Sequence, residues 1–443
     1  MYKFSVSGLR GKIFFNIFPY DFFTFAYHFA RNQKEDKILI GYDTRPSSKL
    51  FYLSVLSGIF QANKNVIDLE IIPTPTLVFA SQILKLPGII ITASHNPINE
   101  NGLKFVSTYG RFLFEKEIKK FSINNIQNIE RKSLPKIEKI DKESIYQKHF
   151  LKISKYKIFK SLSFKDLKIG IDCVNGSASS EINYFCNLLN LRAKLLFCEE
   201  RIEKDFPRPP EPSENSLKKL SDLVKKESLD LGIGFDPDGD RVAFVCENGE
   251  VLNEEYTLPL SLFYFLEKKK TPVVCNFSTS LLVNDICEKF NVPLYRTKVG
   301  ESNVLYQMLK KKSLIGGEGN GGVIIKDINL TRDGFVAFYT ILSLIKEKDK
   351  PLSILKKNFN QYIIIKEKMS FDTKFFFKIK KRIKSKFIKL FKKPYIINEE
   401  DGFFFFKRNL LFHLRPSNTE NILRVIINAD DEKIVNKIYE ILK

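Results

Sequence analysis

Residues Asp236 to Arg241 read Asp-Pro-Asp-Gly-Asp-Arg, three carboxylates in five residues directly after an apolar run. At an effective dielectric near 20, carboxylates about 4 Å apart repel by about 4 kcal/mol per pair. Crowding of that kind predicts a bound divalent cation. Hard oxygens suit Mg2+, which takes a few carboxylates together with a phosphate oxygen. Two other chemistries begin in the same way. An EF-hand loop alternates aspartates, and Glu247 falls at its twelfth place, but its sixth place calls for glycine and holds Arg241. A dehalogenase-type phosphatase would use Asp236 as its nucleophile, usually with threonine after the glycine, where Asp240 stands.

Three further stretches carry chemistry. Thr92-Ala93-Ser94-His95-Asn96-Pro97 follows the β-branched run Ile89 to Ile91. It is either a simple Asn-Pro turn or a reactive hydroxyl at the carboxyl end of a strand, where open α/β sheets bind ligands. Gly316 to Gly322 (GGEGNGG) fits no Walker or dinucleotide fingerprint, but its polar side chains can bracket hydroxyls. Arg415-Pro416-Ser417-Asn418-Thr419-Glu420 offers a guanidinium, two hydroxyls, an amide and turn N–H groups, as a phosphate dianion requires. Arg424 adds a second fork. Read singly, that stretch is equally a plain turn.

The elements that must position these loops alternate between strand and helix, which predicts βαβ units and mixed or parallel sheets. The clearest strands are 37–42, 88–91, 167–171, 229–235 and 272–277, and the clearest amphipathic helices 47–62 and 217–226. Asn248-Gly249 predicts a tight hairpin between 241–247 and 250–252. A Lys-rich stretch, 116–148, is expected to lead out of a first domain. Breaks near 150, 252 and 358 divide the chain into units 1–150, 151–252, 253–358 and 359–443. In the last unit Phe376, Ile379, Ile383, Phe387 and Leu390 fall at helical spacing among lysines. Such a helix either lies on a membrane or covers a sheet, and the sheet is the expectation.

With 443 residues, 44% of them hydrophobic, the chain has apolar mass for three or four domains. Lys and Arg exceed Asp and Glu by 72 − 51 = 21, a surplus that steers anionic partners. The charge is spread along the chain without a nucleic-acid-binding motif, so neither nucleic acid nor membrane is the expected partner. No run of about 20 residues is apolar enough to span a bilayer, and a cytoplasmic enzyme is expected. The six cysteines lack C-x-x-C spacing, which argues against zinc and a disulfide framework.

Taken in order, the four motifs resemble the α-D-phosphohexomutases. The resemblance spans almost the whole chain. It extends to Ser7-Gly8-Leu9-Arg10-Gly11, Gly41-Tyr42-Asp43-Thr44-Arg45, Pro73-Thr74-Pro75, Asn101-Gly102-Leu103-Lys104, Lys298-Val299-Gly300 and Arg332-Asp333-Gly334. It implies three similar mixed-sheet α/β domains plus a smaller α+β C-terminal domain around a central cleft. By the same resemblance Ser94 carries a phosphate, and Asp236, Asp238, Asp240 and a phosphoserine oxygen hold one Mg2+. Arg10 and Arg241 clamp the transferring group, with His95 beside it. Lys104 or Arg10 takes the proton of the attacking hydroxyl. Lys298, Gly300, Glu318 and Asn320 hold the sugar, while Arg415, Ser417, Asn418, Thr419 and Arg424 hold its other phosphate. The implied reaction interconverts hexose 6-phosphate and hexose 1-phosphate through a hexose 1,6-bisphosphate, in a monomer or homodimer.

Departures from the family pattern point toward a sugar. Asn320 and Gly322 replace the serine and histidine of many members, Val6 replaces threonine, and Asn421 replaces proline. Glu-Gly-Asn-Gly-Gly with Ser-Asn-Thr-Glu looks like one branch of phosphoglucosamine mutases. Glucosamine phosphate therefore leads, with mannose or glucose phosphates as the alternative. An inactive sugar-phosphate-binding scaffold and a Mg2+-dependent phosphatase are the rival readings.

Overall fold

A computed structural model describes residues 3–5, 8–119, 126, 134–202, 204–370, 376–417 and 422–442. Val6, Ser7, Asn418, Thr419, Glu420 and Asn421 lie outside the described residues.

Among the described residues, three of the four sheets contain the same four-strand order. In the first, Asn65–Ile71, Lys37–Tyr42 and Gly88–Ile91 run parallel, and Glu100–Ser107 closes antiparallel. The second repeats this with Arg192–Leu196, Lys168–Asp172, Leu231–Phe235 and Val242–Cys246. In the third the strands are Leu294–Thr297, Val273–Asn276, Ile315–Glu318 and Gly322–Ile325. The third strand of each set is buried throughout, as expected where helices cover both faces of a largely parallel sheet. The serine, aspartate and Gly-Glu motifs therefore occupy one and the same connection, from third strand to fourth, in three successive domains.

The fourth sheet is antiparallel, in the order Ile363–Ser370, Ile422–Ala429, Leu410–Pro416, Phe403–Lys407, Ile396–Asn398. Helix Phe376–Leu390 covers it through Ile383 and Phe387, which pack on Phe403, Phe405 and Phe412, so its apolar stripe serves a sheet. No helix among the described residues is long and apolar enough to cross a membrane. The second and third domains share a continuous core that includes Phe235, Phe265 and Phe335, whereas the first and fourth have cores of their own.

Two local expectations need correction. Ile137–Lys139, within the Lys-rich stretch, returns to pair with Asn65–Ile71, because Val66 to Asp68 would otherwise leave that edge unpaired. The Asn-Gly hairpin is not a two-residue turn. Gly249 N–H donates to Cys246 O at 2.8 Å, which makes Glu247 and Asn248 the central residues, and Gly249 follows at φ +83° as a bulge. The return strand is reduced to one bridge, Val245 with Val251.

A buried imidazolium joins the first three domains. His149, on helix Lys142–Ser154, bonds Glu181 through Nδ1 at 2.7 Å and Asp333 through Nε2 at 2.8 Å. Thr76 of the first domain donates to the same Glu181. Asn329 bridges Asp333 to Pro75 O. Burial alone would lower the ring's pKa, but Asp333 and Glu181 outweigh it and raise the value from 6.5 to about 10. A raised folded-state pKa stabilises fully below the unfolded value, and the contribution disappears as pH climbs past the folded value. Denaturant unfolding is therefore expected to show stability falling between pH 6.5 and about 10, with that component missing in His149→Gln. The variant leaves two buried carboxylates uncompensated and is expected to cost roughly 3–5 kcal/mol at neutral pH.

Candidate active site

The equivalent loops converge on one cleft of about 320 Å³. Ser94 adopts the left-handed conformation, φ +52°, uncommon for a residue with a Cβ, and Arg45 explains how it is held. The Arg45 guanidinium donates to Asp43 Oδ2 through Nε, to Pro97 O and Glu100 O through one terminal nitrogen, and to Ser94 O and Asn96 O through the other. All five of its N–H donors are thereby used. Phe206 of the second domain lies 5.0 Å over the guanidinium. With the loop carbonyls drawn to the rear, Ser94 N–H bonds Thr92 Oγ1 at 2.8 Å, and Ser94 O–H donates to Asp236 Oδ2 at 2.9 Å. The Ser94 hydroxyl and the acidic loop are in direct contact.

Leu231–Phe235 delivers that acidic loop. Gly239 N–H bonds Asp236 O at 3.2 Å, closing a turn with Pro237 second and Gly239, at φ +74°, fourth. Asp236, Asp238 and Asp240, all fully buried, thus bring carboxylate oxygens within 4.8 Å of one another. Burial and the two neighbouring carboxylates push Asp236 well above the usual carboxylate range. Burial also opposes ionisation of Asp238, but Lys104 and hydrogen bonds hold it below that range. Asp238 Oδ1 and Asp240 Oδ1 are buried without a hydrogen-bond donor among the described residues. Buried acceptors of this kind call for a partner, and three convergent hard oxygens beside a serine fit a divalent cation.

Cations surround the triad. Lys104 Nζ sits 2.8 Å from Asp238 and 3.5 Å from Asp240, so its side chain is held between two members of the triad. Arg241 N–H bonds Asp236 Oδ1 at 3.1 Å, and its guanidinium reaches Glu211 at 3.0 Å. Arg10 lines the cleft, its Nε without a hydrogen-bond partner among the described residues. Burial first, and then Arg241 and Arg332, lower its pKa to about 10 against the pull of Asp238 and Asp240. His95 Nδ1 lies 3.5 Å from Ser94 Oγ. Burial and the charges of Arg241, Arg10, Arg424 and Arg332 keep its pKa well below 6.5, so the ring is neutral.

The Gly-Glu loop faces this group. Glu318 is oriented by Asn276, Gly300 N–H and Arg332 at 2.7, 3.0 and 2.8 Å. Asn320 Oδ1 has no donor among the described residues and lines the cleft. Lys298, expected at the substrate, does not line it. The chain turns at Gly300, φ +125°, and presents Val299 and Gly300 instead. From the fourth sheet come Arg415, Ser417 and Arg424. Asn418 and Thr419 belong to the undescribed part of that loop.

Two contributors escaped the sequence reading. Arg332, fourteen residues past Glu318 in the chain, bonds Asp240 at 2.6 Å and Glu318 at 2.8 Å, tying the acidic loop to the Gly-Glu loop. It stands in Arg332-Asp333-Gly334, a motif that carried no assigned role. Lys368 is the register partner of Arg424, and Arg424 of Arg415, so three cations align across adjacent strands and all three line the cleft. Like charges opposite one another destabilise a sheet, and an anion seated on the row reverses that cost. No sequence signal marks Lys368, because its importance comes from strand pairing alone.

Comparison with known proteins accords with this geometry. Family models described as phosphoglucomutase/phosphomannomutase match consecutively: domain I over residues 1–131, domain II over 144–249, domain III over 253–362 and the C-terminal domain over 366–442. A phosphoglucosamine mutase of Methanococcus vannielii is 29% identical over 448 residues, covering 99% of this chain and 97% of that protein. A phosphoglucomutase/phosphomannomutase of Thermococcus kodakarensis is 30% identical over 409 residues, covering 91% and 88%. Among solved structures, a phosphoglucomutase/phosphomannomutase family protein of Burkholderia thailandensis superposes with a TM-score of 0.83 at 20% identity, covering 98% of this chain and 94% of that one. The N-acetylphosphoglucosamine mutase of Aspergillus fumigatus, in complex with GlcNAc-6P and magnesium, gives 0.62 at 12% identity, covering 100% and 95%.

Proposed function

Because the chain belongs to the phosphoglucomutase/phosphomannomutase family, we propose that this enzyme interconverts glucosamine 6-phosphate and glucosamine 1-phosphate through a phosphoserine at Ser94 and a bound 1,6-bisphosphate. The observation that carries the reading is the 2.9 Å bond from Ser94 O–H to Asp236 within a buried triad, facing a row of cations across one cleft. In the first half-reaction a sugar hydroxyl attacks the phosphorus on Ser94. The bond to Ser94 Oγ breaks, a bond to the sugar oxygen forms, and the hydroxyl proton passes to a base for which Lys104 and Arg10 are the candidates. The bisphosphate then turns over, and Ser94 Oγ takes back the phosphoryl group from the other end.

Mg2+ held by Asp236, Asp238 and Asp240 would supply charge neutralisation at the transferring oxygens. The chain's own residues position the rest, as phosphoryl transfer demands. Arg10 and Arg241 clamp the transferring group, and neutral His95 leaves the serine oxygen without a competing cation. Arg415, Ser417, Arg424 and Lys368 hold the phosphate that does not react. Asn320 addresses the sugar hydroxyls with an acceptor that no described residue occupies, while Glu318 acts from an orientation fixed by Arg332.

The amino sugar is favoured by the Glu318–Gly322 loop sequence, shared in kind with one branch of phosphoglucosamine mutases, and by relatives bearing that name. A coupled assay of glucosamine, mannose and glucose phosphates side by side is expected to give the highest kcat/KM with glucosamine. A many-fold preference for mannose or glucose overturns the sugar and leaves the reaction class standing.

A further inference from the structure

We propose that Lys366 is a positioning residue that sets how closely the phosphate-binding cations of the last domain approach the sugar loop. This rests on the mutase reading above. Lys366 stands on the strand Ile363–Ser370, the first element of the fourth domain. Its ammonium reaches out of that domain to Glu254 Oε1 at 2.6 Å, Glu255 Oε1 at 2.8 Å and Gly319 O at 2.8 Å. All three partners belong to the third domain, and Gly319 lies between Glu318 and Asn320.

The contact is built from both sides. Glu255 is almost fully buried, and its other oxygen accepts Ser280 N–H at 3.0 Å. A Cβ on Gly319 would stand 2.0 Å from Glu255 Oε2, so any side chain there would have to displace the carboxylate that Lys366 engages. The carboxylate pair, the loop carbonyl and the ammonium thus form one cluster in which the sugar loop is seated on Glu255 and pulled by Lys366. Two residues further along the same strand, and therefore on the same face, Lys368 pairs with Arg424 in the cation row. Any rotation of the strand about Lys366 moves that row relative to Asn320. Of the other contacts between these domains, His413 Nδ1 with Ser278 Oγ at 2.9 Å and Asp401 Oδ2 with Val299 N–H at 2.8 Å touch neither the Gly319 carbonyl nor the strand bearing Lys368, and Asn428, which accepts Leu281 N–H, meets that strand only at its start, through Ile363 O at 3.3 Å.

A positioning role differs from bulk stabilisation in what its loss does to turnover. With the cluster broken, both orientations of the substrate are held less well and the bisphosphate escapes before the second transfer. In Lys366→Met, KM is expected to rise about tenfold with kcat changed by less than about threefold. The requirement for added hexose 1,6-bisphosphate increases, and Lys366→Arg restores most of the lost behaviour. Hydrogen exchange of the 316–322 amides, measured without substrate, is expected to accelerate in Lys366→Met while the sheet of the first domain is unchanged. Glu254→Gln, which keeps one carboxylate and the ammonium, should show the same changes in weaker form and serves if the methionine variant does not fold. Unchanged KM, bisphosphate requirement and exchange in a folded variant overturn the proposal. An absence of mutase activity in the wild-type protein would instead count against the functional reading, and the exchange measurement would still decide whether Lys366 holds the loop.

Discussion

Ser94→Ala is expected to lose mutase activity by about 10⁴-fold or more and to appear in intact-protein mass spectrometry without the single phosphate carried by the wild type. The magnitude follows from the route. Without the Oγ there is no atom to accept or donate the phosphoryl group, and the remaining clamp residues have only water to work with. The fold should survive, since the loop is held by Arg45 through backbone carbonyls and by Thr92 through Ser94 N–H. The hydroxyl's own hydrogen bond ends on Asp236, whose other oxygen is still bonded by Arg241 N–H. Free phosphate released by the alanine variant, with no isomerised sugar, would place the nucleophile on Asp236 and sink the mutase mechanism. A wild-type protein that carries no phosphate and is inert to every hexose phosphate would support the scaffold reading.

Asp238→Asn is expected to separate metal binding from folding. In the wild type, Mg2+ at about 100 times its Kd should add about 2.7 kcal/mol to stability, read as a rise in Tm. In the variant that rise should vanish, with kcat down by roughly 10²–10³-fold, the scale of losing one preorganised charge-stabilising group. Its metal-free stability should suffer much less. The asparagine oxygen can still accept from Lys104 and Thr74, which now bond Asp238 Oδ2 at 2.8 and 2.7 Å, and one of three mutually repelling carboxylates is gone. The outcome that refutes the assignment is a Mg2+-induced shift of equal size in both proteins.

The two predictions sample two of three equivalent loops. Each leaves the third strand of a repeated four-strand order, and each carries side chains that the repeat by itself would not foretell: a hydroxyl, three carboxylates, and a Glu-Asn pair. Their convergence depends on how the domains pack. The second and third share one core, and His149 secures the first to both through Glu181 and Asp333. The fourth domain, with its separate core, meets them through polar contacts such as Lys366 and a small apolar cluster of Phe277, Leu281, Phe404, Leu411 and Ile426. That arrangement would let the fourth domain shift, as the proposed turnover of a bisphosphate requires.

The sequence by itself singled out Ser94 as the candidate hydroxyl, the acidic triad, Arg415 and Arg424 as candidate anion ligands, and the alternation of strands and helices that carries them. Those features are short-range: carboxylate crowding within five residues and period-two or helical patterning act between near neighbours in the chain. Tertiary structure alone decided that Lys104 is engaged by Asp238 and Asp240, that Lys298 stands back from the cleft, that Asn248-Gly249 bulges, and that Arg45, His149, Arg332, Lys366 and Lys368 matter. Each of these residues draws its role from partners on other strands or in other domains. A charge or hydrogen bond acts through distance in space, and the chain brings those partners together only by folding.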